Sequence, residues 1–306
     1  MTASGRLRTL TPAVGLLVAV PLPWLANAYI VSIATTGLIM ALLAISAQIV
    51  GTTGQAALGQ AGYLGVGAYT AALLAGTSAG YGMVQLAAAA LTGAAAAALT
   101  GLVAVRARGV TFLMITFACG ELIHVAALAA VPVTGGSDGI LVPARPPLPG
   151  TATLAADGWV FLYVLAVTGL VCAAIWGWRR SRWDLRLRAI ADHERRLRAS
   201  GHPTGRYLWT AYTLAGAIAG IAGALLVTAT HHVSPADLGF AVSVVALAAA
   251  ILGIGTMPGA VLAALVLVAA RDWVGGYTGH GVAILGALLI VAAALPRDRL
   301  LSWRIR

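Results

Sequence analysis

The fold is decided by an uncharged stretch whose residues 29–76 read YIVSIATTGLIMALLAISAQIVGTTGQAALGQAGYLGVGAYTAALLAG. This stretch belongs to a run of 97 residues, between Arg8 and Arg106, that contains no Asp, Glu, Lys, Arg or His. A membrane-spanning helix needs about 20 predominantly apolar residues, so this run alone accommodates about four. The pattern predicts a membrane protein that crosses the bilayer several times.

The composition of the whole chain agrees with that prediction. Of its 306 residues 60% are hydrophobic, and only 9% are Asp, Glu, Lys or Arg. Soluble domains carry about 25% charged residues, so the chain has too little polar surface for a water-soluble body. The composition therefore excludes a soluble enzyme, a nucleic-acid-binding protein and a disordered tail.

Apolar runs bounded by Gly, Pro or charge predict an all-α, polytopic transmembrane bundle of about ten spans. The eighth and ninth predicted spans, 240–254 and 258–271, are too short to cross the membrane as straight helices. They are separated by Gly253–Pro258, which predicts a broken helix pair, because Gly and Pro at membrane depth are tolerated where backbone lines a cavity. The predicted spans are 10–27, 29–50, 58–76, 82–105, 109–131, 158–178, 207–230, 240–254, 258–271 and 281–296.

The distribution of Arg predicts the orientation. With the N-terminus inside, 17 of the 19 Arg residues lie in cytoplasmic segments, and only Arg145 and Arg271 lie outside. Cytoplasmic loops accumulate cations, so both termini are expected in the cytoplasm. The first apolar run and Ala26-Asn27-Ala28 imitate a signal peptide, but we expect this segment to be the first span.

Residues 179–206 form the only long cytoplasmic segment, and they predict a helix from about Trp183 to Ser200. Ser181 followed by Asp184 is a helix start signal, and Gly201 with Pro203 is a stop. Asp192 with Arg196, and Glu194 with Arg198, have the i,i+4 spacing of ion pairs. Two interpretations stay open: an amphipathic helix on anionic lipid, or a docking helix that transmits motion from a soluble partner.

Glycine-rich segments predict close helix packing. Gly59, Gly62 and Gly65 recur at helical spacing, and Gly216 with Gly220 forms a G-x-x-x-G pair. Such small-residue faces let two backbones approach closely. Packing is the expected role, and lining of a transport pathway is the alternative.

Glu121 and His124 are the ionisable residues of the fifth predicted span, and they lie one helical turn apart. Intramembrane ionisable residues are candidates for functional sites. We expect a structural pair that faces the interior of the bundle. The alternative is a titrating pair in an ion-coupled secondary transporter, although the spans hold no second carboxylate for a proton relay.

No catalytic or metal site is expected. Residues 135–139 satisfy the G-x-S-x-G pattern of serine hydrolases around Ser137, but the pattern requires a preceding strand and a following helix. A tight turn is the better interpretation. The chain has no Lys and hence no phosphate-binding loop of the G-x-x-x-x-G-K-[ST] type. No cofactor is expected in this chain, and any ATP would be bound by another subunit.

Six stretches carry a further signal. They are Gly51–Leu74, Arg108–Glu121, Thr134–Gly139, Leu187–Gly201, Val233–Asp237 and Ile251–Thr256. In this order they resemble the permeases of bacterial branched-chain amino acid ABC importers. The resemblance extends from about residue 30 to Pro296.

The resemblance implies a single permease domain over residues 1–306, with inverted pseudo-repeat halves near 29–150 and 151–296. It implies a multi-pass protein of the bacterial inner (plasma) membrane that translocates branched-chain or related amino acids. The implied partners are a second homologous permease, two cytoplasmic ABC ATPases that bind ATP, and an extracytoplasmic substrate-binding protein.

The resemblance also assigns roles to residues. For the substrate pathway we expect Gly54, Gln55, Leu58, Gly59, Gln60, Tyr63, Gly253, Gly255 and Thr256. For coupling to the ATPase we expect Arg188, Ala189, Ile190, Asp192, Glu194, Arg195 and Gly201, with Ala189 and Ile190 as the apolar contact.

The sequence departs from the family pattern in two places. Ala57 and Gln60 stand where the family usually has Ser and His, and the glycine run at Gly253 is one residue shorter, with Pro258 before Gly259. These departures affect the expected pathway, so a permease of the same family for urea, amides or sugars is the alternative substrate assignment.

Overall fold

The computed structural model describes residues 20–77, 80–142, 157–253 and 256–278, together with Gly286. Almost all regular structure in this part of the chain is α-helical, as the sequence predicts. Its helices are α1 Leu22–Leu25, α2 Ala28–Gly51, α3 Gln60–Ala75, α4 Gly82–Ala104, α5 Val110–Ala129, α6 Val131–Thr134, α7 Asp157–Arg179, α8 Arg182–Ala199, α9 Thr204–Thr230, α10 Phe240–Leu252 and α11 Met257–Thr278.

Two very short strands and two 3-10 helices complete the described structure. Strand β1, Ile140–Leu141, pairs antiparallel with β2, His232–Val233. The 3-10 helices are Gly136–Asp138 and Pro235–Leu238. The ribbon therefore ties the segment after α6 to the segment between α9 and α10.

The predicted spans agree with the observed helices in most of the described chain. Six segments are long and apolar enough to cross a membrane. The total of about ten spans stays a prediction, because 281–296 and most of 10–27 lie outside the described residues. The six segments are Ala28–Gly51, Gly82–Ala104, Val110–Ala129, Gly158–Arg179, Thr204–Thr230 and Pro235–Leu252.

The broken pair near residue 255 forms, but its second member is longer than predicted. Helix α10 ends at Leu252, and α11 begins at Met257. Helix α11 then continues through Arg271 and Asp272 to Thr278, so the predicted end at 271 was wrong. The adjacent charges of Arg271 and Asp272 predict the start of a loop, whereas both residues lie within the helix.

Helix α9 lies at the centre of the bundle, where it packs against α2, α3 and α4. Its small residues permit this position: a Cβ added at Gly220 would collide with the carbonyl oxygen of Ala89, and one at Gly216 with the side chain of Ala97. Close packing drives helix association in lipid, where the hydrophobic effect is absent between helices. The predicted packing role of the G-x-x-x-G pair is confirmed.

The two predicted halves of the chain interleave. Helix α2 contacts α7 and α11 from the second half, while α9 contacts α3 and α4 from the first. The described residues therefore form one packed bundle, and the inverted-repeat relation between its halves stays a prediction.

Candidate functional site

The glycine-rich segment between α2 and α3 packs against helix α5. The backbone N–H of Leu58 donates to Thr116 Oγ1 at 3.2 Å. A Cβ at Gly59 would collide with the Thr116 carbonyl oxygen, and one at Gly62 would lie 3.1 Å from the Cα of Gly120. The glycines at these positions therefore serve close backbone contact, as their spacing predicts.

Gln60 begins α3 and is buried inside the chain, with 1% of its surface exposed. Its Oε1 lies 2.7 Å from the hydroxyl of Ser46, which also lies 2.8 Å from the carbonyl oxygen of Ala215. Its Nε2 has no hydrogen-bond partner among the residues that the structure describes. The side chain thus lies at the junction of α2, α3 and α9 and does not line an open path in this structure.

Tyr63, one turn further along α3, belongs to a buried hydroxyl network. Its oxygen lies 2.6 Å from Thr100 Oγ1 and 2.7 Å from the Tyr212 oxygen. The two tyrosine rings meet edge to face, with centroids 5.7 Å apart. The network joins α3, α4 and α9. Its other two members are 37 and 149 residues from Tyr63 in the chain, so the local sequence could not predict it.

The second set of predicted pathway residues forms the turn between α10 and α11. Thr256 donates its N–H and its hydroxyl to the Gly253 carbonyl oxygen, at 2.9 and 2.8 Å. Gln48 Nε2 donates to the Thr256 carbonyl oxygen at 3.1 Å. Gly255 lies outside the described residues. This turn is thus bound to α2 through Gln48, whereas Tyr63 is bound to α4 and α9.

The predicted cytoplasmic helix exists as α8. Ser181 caps it, its hydroxyl accepting a hydrogen bond from the Trp183 N–H at 3.3 Å, and Gly201 after its end has a φ of +84°. His193 interrupts the helix with φ −148° and ψ 67°. The start and stop signals are confirmed, and the kink was not foreseen.

The kink decides which predicted ion pairs form. Glu194 and Arg198 both follow His193, and they pair at 3.0 Å. The Asp192–Arg196 pair spans the kink and is not formed, which corrects the prediction. An i,i+4 pair needs a continuous helix to bring its side chains together.

The faces of α8 differ from the predicted arrangement in one respect. Ile190 is only 4% exposed and packs in the hydrophobic core of its own chain, so it cannot be an apolar contact for another subunit. Ala189 is half-buried, whereas Leu185 is 66% exposed. The residues expected at the ATPase contact that do lie on the exposed side are Arg188, Asp192, Arg195 and Gly201.

Arg188 and Asp184 form a second ion pair on α8, with Nε 2.8 Å from Oδ2. The Asp184 carboxylate is buried, while Arg188 is largely exposed. This pair anchors the first turns of the helix, where an acidic residue also suits the helix dipole.

A bidentate ion pair attaches α8 to the transmembrane helices. Arg108, in the turn between α4 and α5, donates from Nε and Nη2 to the two carboxylate oxygens of Glu194, each at 2.6 Å. Arg198 and the Thr204 hydroxyl also contact Glu194 Oε1, at 3.0 and 3.3 Å. Hydrogen bonding to Arg108 is the largest cause that lowers the pKa of the Glu194 carboxyl below its usual value.

The same arginine organises the turn in which it lies. Its Nη1 donates to the carbonyl oxygens of Val105 and Ala107 at the end of α4. Gln55 Oε1 accepts from the Gly109 N–H at 2.8 Å, and Gly109 has a φ of +59°. We refer to Gln55, Arg108, Glu194, Arg198 and Thr204 as the cytoplasmic cluster, after the side of the membrane on which the Arg distribution predicts it.

The cytoplasmic cluster was not predicted as a unit. Glu194 and Gln55 were separate candidates, and Arg108 was noted only as the start of a family-like stretch. Arg108 and Glu194 are 86 residues apart, so only the tertiary structure brings them together. A small cavity lies between Arg108 and Tyr212, with Thr53 and Gln55 on its wall, and it separates the cluster from the buried hydroxyl network.

Glu121 and His124 form the predicted pair on α5, with Oε2 and Nδ1 at 3.3 Å. They are part-buried and do not lie in the core of this chain, which corrects the prediction. The Glu121 side chain is 34% exposed and that of His124 is 24% exposed. The interior face of α5 is formed instead by residues such as Thr116 and Gly120, which contact the glycine-rich segment.

The glycine-rich loop Thr134–Gly139, which is predicted on the outer side, is a tight turn. Gly135, Gly136 and Gly139 all have positive φ, between 62° and 74°. The Ser137 hydroxyl has the neighbouring Asp138 carboxylate as its partner, at 3.3 Å. A short helix precedes Ser137 and a two-residue strand follows it, so the strand and helix of a nucleophile turn do not flank this serine.

Comparison with known proteins supplies the family context for these features. A family model described as branched-chain amino acid transport system / permease component matches residues 29–293. The LivM permease protein of the high-affinity branched-chain amino acid transport system of Escherichia coli is 31% identical over 303 residues, covering 90% of this chain and 71% of that protein. The protein of the same description from Salmonella typhimurium is 30% identical with the same coverage. No solved structure matches the chain.

Proposed function

This chain belongs to the family of branched-chain amino acid transport permeases, and from that premise we propose that it is the transmembrane subunit of an ATP-driven importer. The substrate is a branched-chain amino acid that an extracytoplasmic binding protein delivers. A second homologous permease completes the pathway, and two cytoplasmic ATPases bind and hydrolyse ATP. The single observation that carries the proposal is the family match, because it spans residues 29–293 and hence nearly the whole bundle.

The geometry of α8 supports the coupling part of the proposal. Its exposed side presents Leu185 among arginines, while Leu187 and Ile190 pack into the bundle. A helix with one face buried in its own chain and a basic, partly apolar face outside suits docking to a soluble partner. In this arrangement the ATPase contacts Leu185 and the neighbouring arginines, and Ala189 lies at the margin of the contact.

The cytoplasmic cluster provides a route from that contact to the membrane. Glu194 lies on α8, and its bidentate partner Arg108 lies between α4 and α5. Bidentate Arg–carboxylate pairs fix geometry as well as distance. A displacement of α8 would therefore move the ends of α4 and α5 together with it.

Two observations bear on the substrate. Both curated relatives are named for branched-chain amino acid transport. The departures from the family pattern, Ala57 and Gln60, are each only 1% exposed and lie within the packing of this chain. They concern helix packing in this structure, so they give little support to urea, amides or sugars as the substrate.

The ion-coupled alternative has less support. Family membership favours an ABC permease, and in the six described segments that could cross a membrane Glu121 is the only carboxylate apart from Asp237 at the start of Pro235–Leu252. Transport by carboxylate relay uses chains of titratable groups, and a single Glu–His pair does not form such a chain.

The experiment is uptake by vesicles that contain this chain, its partner permease, the ATPases and the binding protein. We expect accumulation of leucine, isoleucine or valine only when ATP reaches the ATPases. Uptake that is driven by an ion gradient without the ATPases would contradict the proposal.

A variant pair tests the coupling surface in the same vesicles. Leu185→Glu adds a charge to the exposed face of α8, and an unpaired charge in a docked interface costs several kcal/mol. We expect uptake and substrate-stimulated ATP hydrolysis to be lost while the chain still inserts. His202→Glu adds the same charge at an exposed position beyond α8 and should leave both near normal.

A further inference from the structure

Glu121 and His124 lie at the depth of the hydrocarbon layer. Helix α5 has 20 residues and is thus about 30 Å long, which is the thickness of that layer. Glu121 is the twelfth of these residues and His124 the fifteenth. Both side chains are about three or more turns from the start of the helix, and Glu121 is about two turns and His124 about one and a half turns from its end.

The polar atoms of this pair are only partly satisfied. Within the described residues each side chain has the other as its hydrogen-bond partner, at 3.3 Å. This distance is longer than the usual 2.7–2.9 Å of a charge-assisted bond. A third of the Glu121 side chain and a quarter of the His124 side chain remain open, with exposures of 34% and 24%.

Lipid is an unsuitable neighbour for such a pair. Ionisable side chains within transmembrane segments are costly in lipid and face a bundle interior or a water-filled cavity. Part of each side chain opens outside the interior of this chain. A water-filled cleft on this side of α5, next to the second permease of the proposed importer, would solvate both groups.

Neighbouring residues define the position of this cleft. Phe117, Glu121 and His124 follow one another at i, i+4 and i+7 and hence share one stripe of α5. Phe117 meets Phe240 of α10 edge to face, with ring centroids 5.1 Å apart. Leu122 and Val125, 68% and 57% exposed, lie on the adjoining flank. The cleft thus runs along the side of α5 that is next to α10.

We propose that Glu121 and His124 form a polar binding station for a zwitterionic solute on the translocation pathway, at mid-membrane on the α10 side of α5. The inference rests on the proposed function and adds the residues that contact the substrate. Glu121 accepts from the ammonium group of the solute, and the His124 imidazole donates to its carboxylate. Phe117 contacts the aliphatic side chain.

The chemistry of the pair suits this ligand. A zwitterion presents one cation and one anion a few ångströms apart, and it loses its hydration shell on entering an apolar cleft. A carboxylate and an imidazole one turn apart offer an acceptor and a donor at matching separation. Because the hydrogen bond between Glu121 and His124 is long, both side chains can replace it with hydrogen bonds to the solute. They form it again when the solute leaves.

The test is cysteine accessibility in the complete importer. In a Cys119→Ala/Cys172→Ala parent, single cysteines replace Glu121, His124, Leu122 or Val125. A membrane-impermeant thiosulfonate reacts with thiolates in water and spares those in lipid. We expect labelling at 121 and 124 that is at least about tenfold faster than at 122 and 125. In a further single-cysteine variant, Phe117→Cys, which keeps both members of the pair, leucine with the binding protein and ATP should slow the labelling severalfold.

The possible results separate the two proposals. No labelling at 121 and 124 in any nucleotide state would overturn the binding station and would indicate lipid or a sealed subunit contact. Labelling at 117 that is unaffected by leucine would also overturn it, because the cleft would then hold water and no solute. ATP-driven leucine uptake by the cysteine-free parent reports on the proposed function independently of both results.

Discussion

Two acid–base pairs of this chain differ in the sequence separation of their members, in the length of their hydrogen bonds and in the number of their other partners. Arg108–Glu194 joins segments 86 residues apart with two bonds of 2.6 Å, and both groups have further partners. Glu121–His124 joins neighbours on one helix with a single contact of 3.3 Å. The first pair has its hydrogen-bonding capacity filled by the protein, and the second leaves capacity unused. The comparison indicates that a saturated pair holds structure, whereas an unsaturated one is available to a ligand.

Breaking the cytoplasmic pair should have the largest effect. Arg108→Glu places two carboxylates together and leaves the Val105 and Ala107 carbonyls without their donor. We expect uptake below about a tenth of normal and a loss of about 1.5–3 kcal/mol of stability, the range for hydrogen bonds to charged groups. Vesicle uptake and thermal unfolding of the purified complex measure the two quantities.

The charge swap is the control for that variant. Arg108→Glu/Glu194→Arg restores opposite charges across the same gap and should recover part of the uptake. Recovery will be incomplete, because a glutamate cannot donate to the carbonyls at the end of α4. Normal uptake by Arg108→Glu alone would show that the pair has no role in coupling.

Removing the charge of the membrane pair should affect transport and spare stability. Glu121→Gln keeps the shape and removes the negative charge that attracts the ammonium group, and loss of a bond between charged groups amounts to about tenfold or more in rate. We expect at least about tenfold slower uptake at saturating binding protein, with thermal unfolding almost unchanged. Leu122→Ala, on the neighbouring flank of α5, is the matched control and should transport normally.

The Glu121→Gln variant also tests whether the two acid–base pairs differ in role. If Glu121→Gln unfolds as easily as Arg108→Glu, the membrane pair is structural too and the distinction between the two pairs fails. Uptake at the normal rate would contradict a contact between Glu121 and the solute.

The cytoplasmic pair should also have a characteristic pH dependence. Because Arg108 lowers the pKa of the Glu194 carboxyl, the group stabilises the fold at every pH above the unfolded value of about 4.3. That contribution is lost only as the pH falls through the lowered value in the folded state. The difference in thermal unfolding between the wild type and Glu194→Gln should be constant from pH 8 to about 5 and shrink below it.

The smallest effect is expected from Arg198→Ala. Arg198 contacts Glu194 at 3.0 Å, but its side chain is 67% exposed, and exposed ion pairs contribute about 0–1 kcal/mol. Uptake should stay within about twofold of normal. A loss as large as that of Arg108→Glu would assign the coupling to the whole cluster instead of the bidentate pair.

Much of the fold could be predicted from local sequence patterns. The apolar runs place α2, α4, α5, α7 and α9 within a few residues, and Ser181 and Gly201 delimit α8. These features depend on residues close together in the chain. The kink at His193 and the continuation of α11 past Arg271 could not be predicted, since no local signal distinguishes them from a regular helix and a loop.

The candidate site was predictable only as separate residues. Gln60 and Tyr63 were expected on the pathway, and the structure places them in buried contacts with Ser46 and Tyr212. Ile190 was expected to meet an ATPase and is buried instead. Whether a residue on a helix is buried depends on which other helices pack against that side. In a membrane protein both the buried and the lipid-facing sides are hydrophobic, so the sequence does not distinguish them.

The sequence by itself determined that this is a helical membrane protein, because 97 consecutive uncharged residues can be buried in no other way. It also determined the family, through motifs that are contiguous in the chain. Only the tertiary structure decided that Arg108 is the partner of Glu194 and that Glu121 and His124 face outward. Both results depend on the packing of helices that are distant in the chain. Close contacts such as that between Gly59 and Thr116 fix how those helices pack, and no short stretch of sequence encodes such contacts.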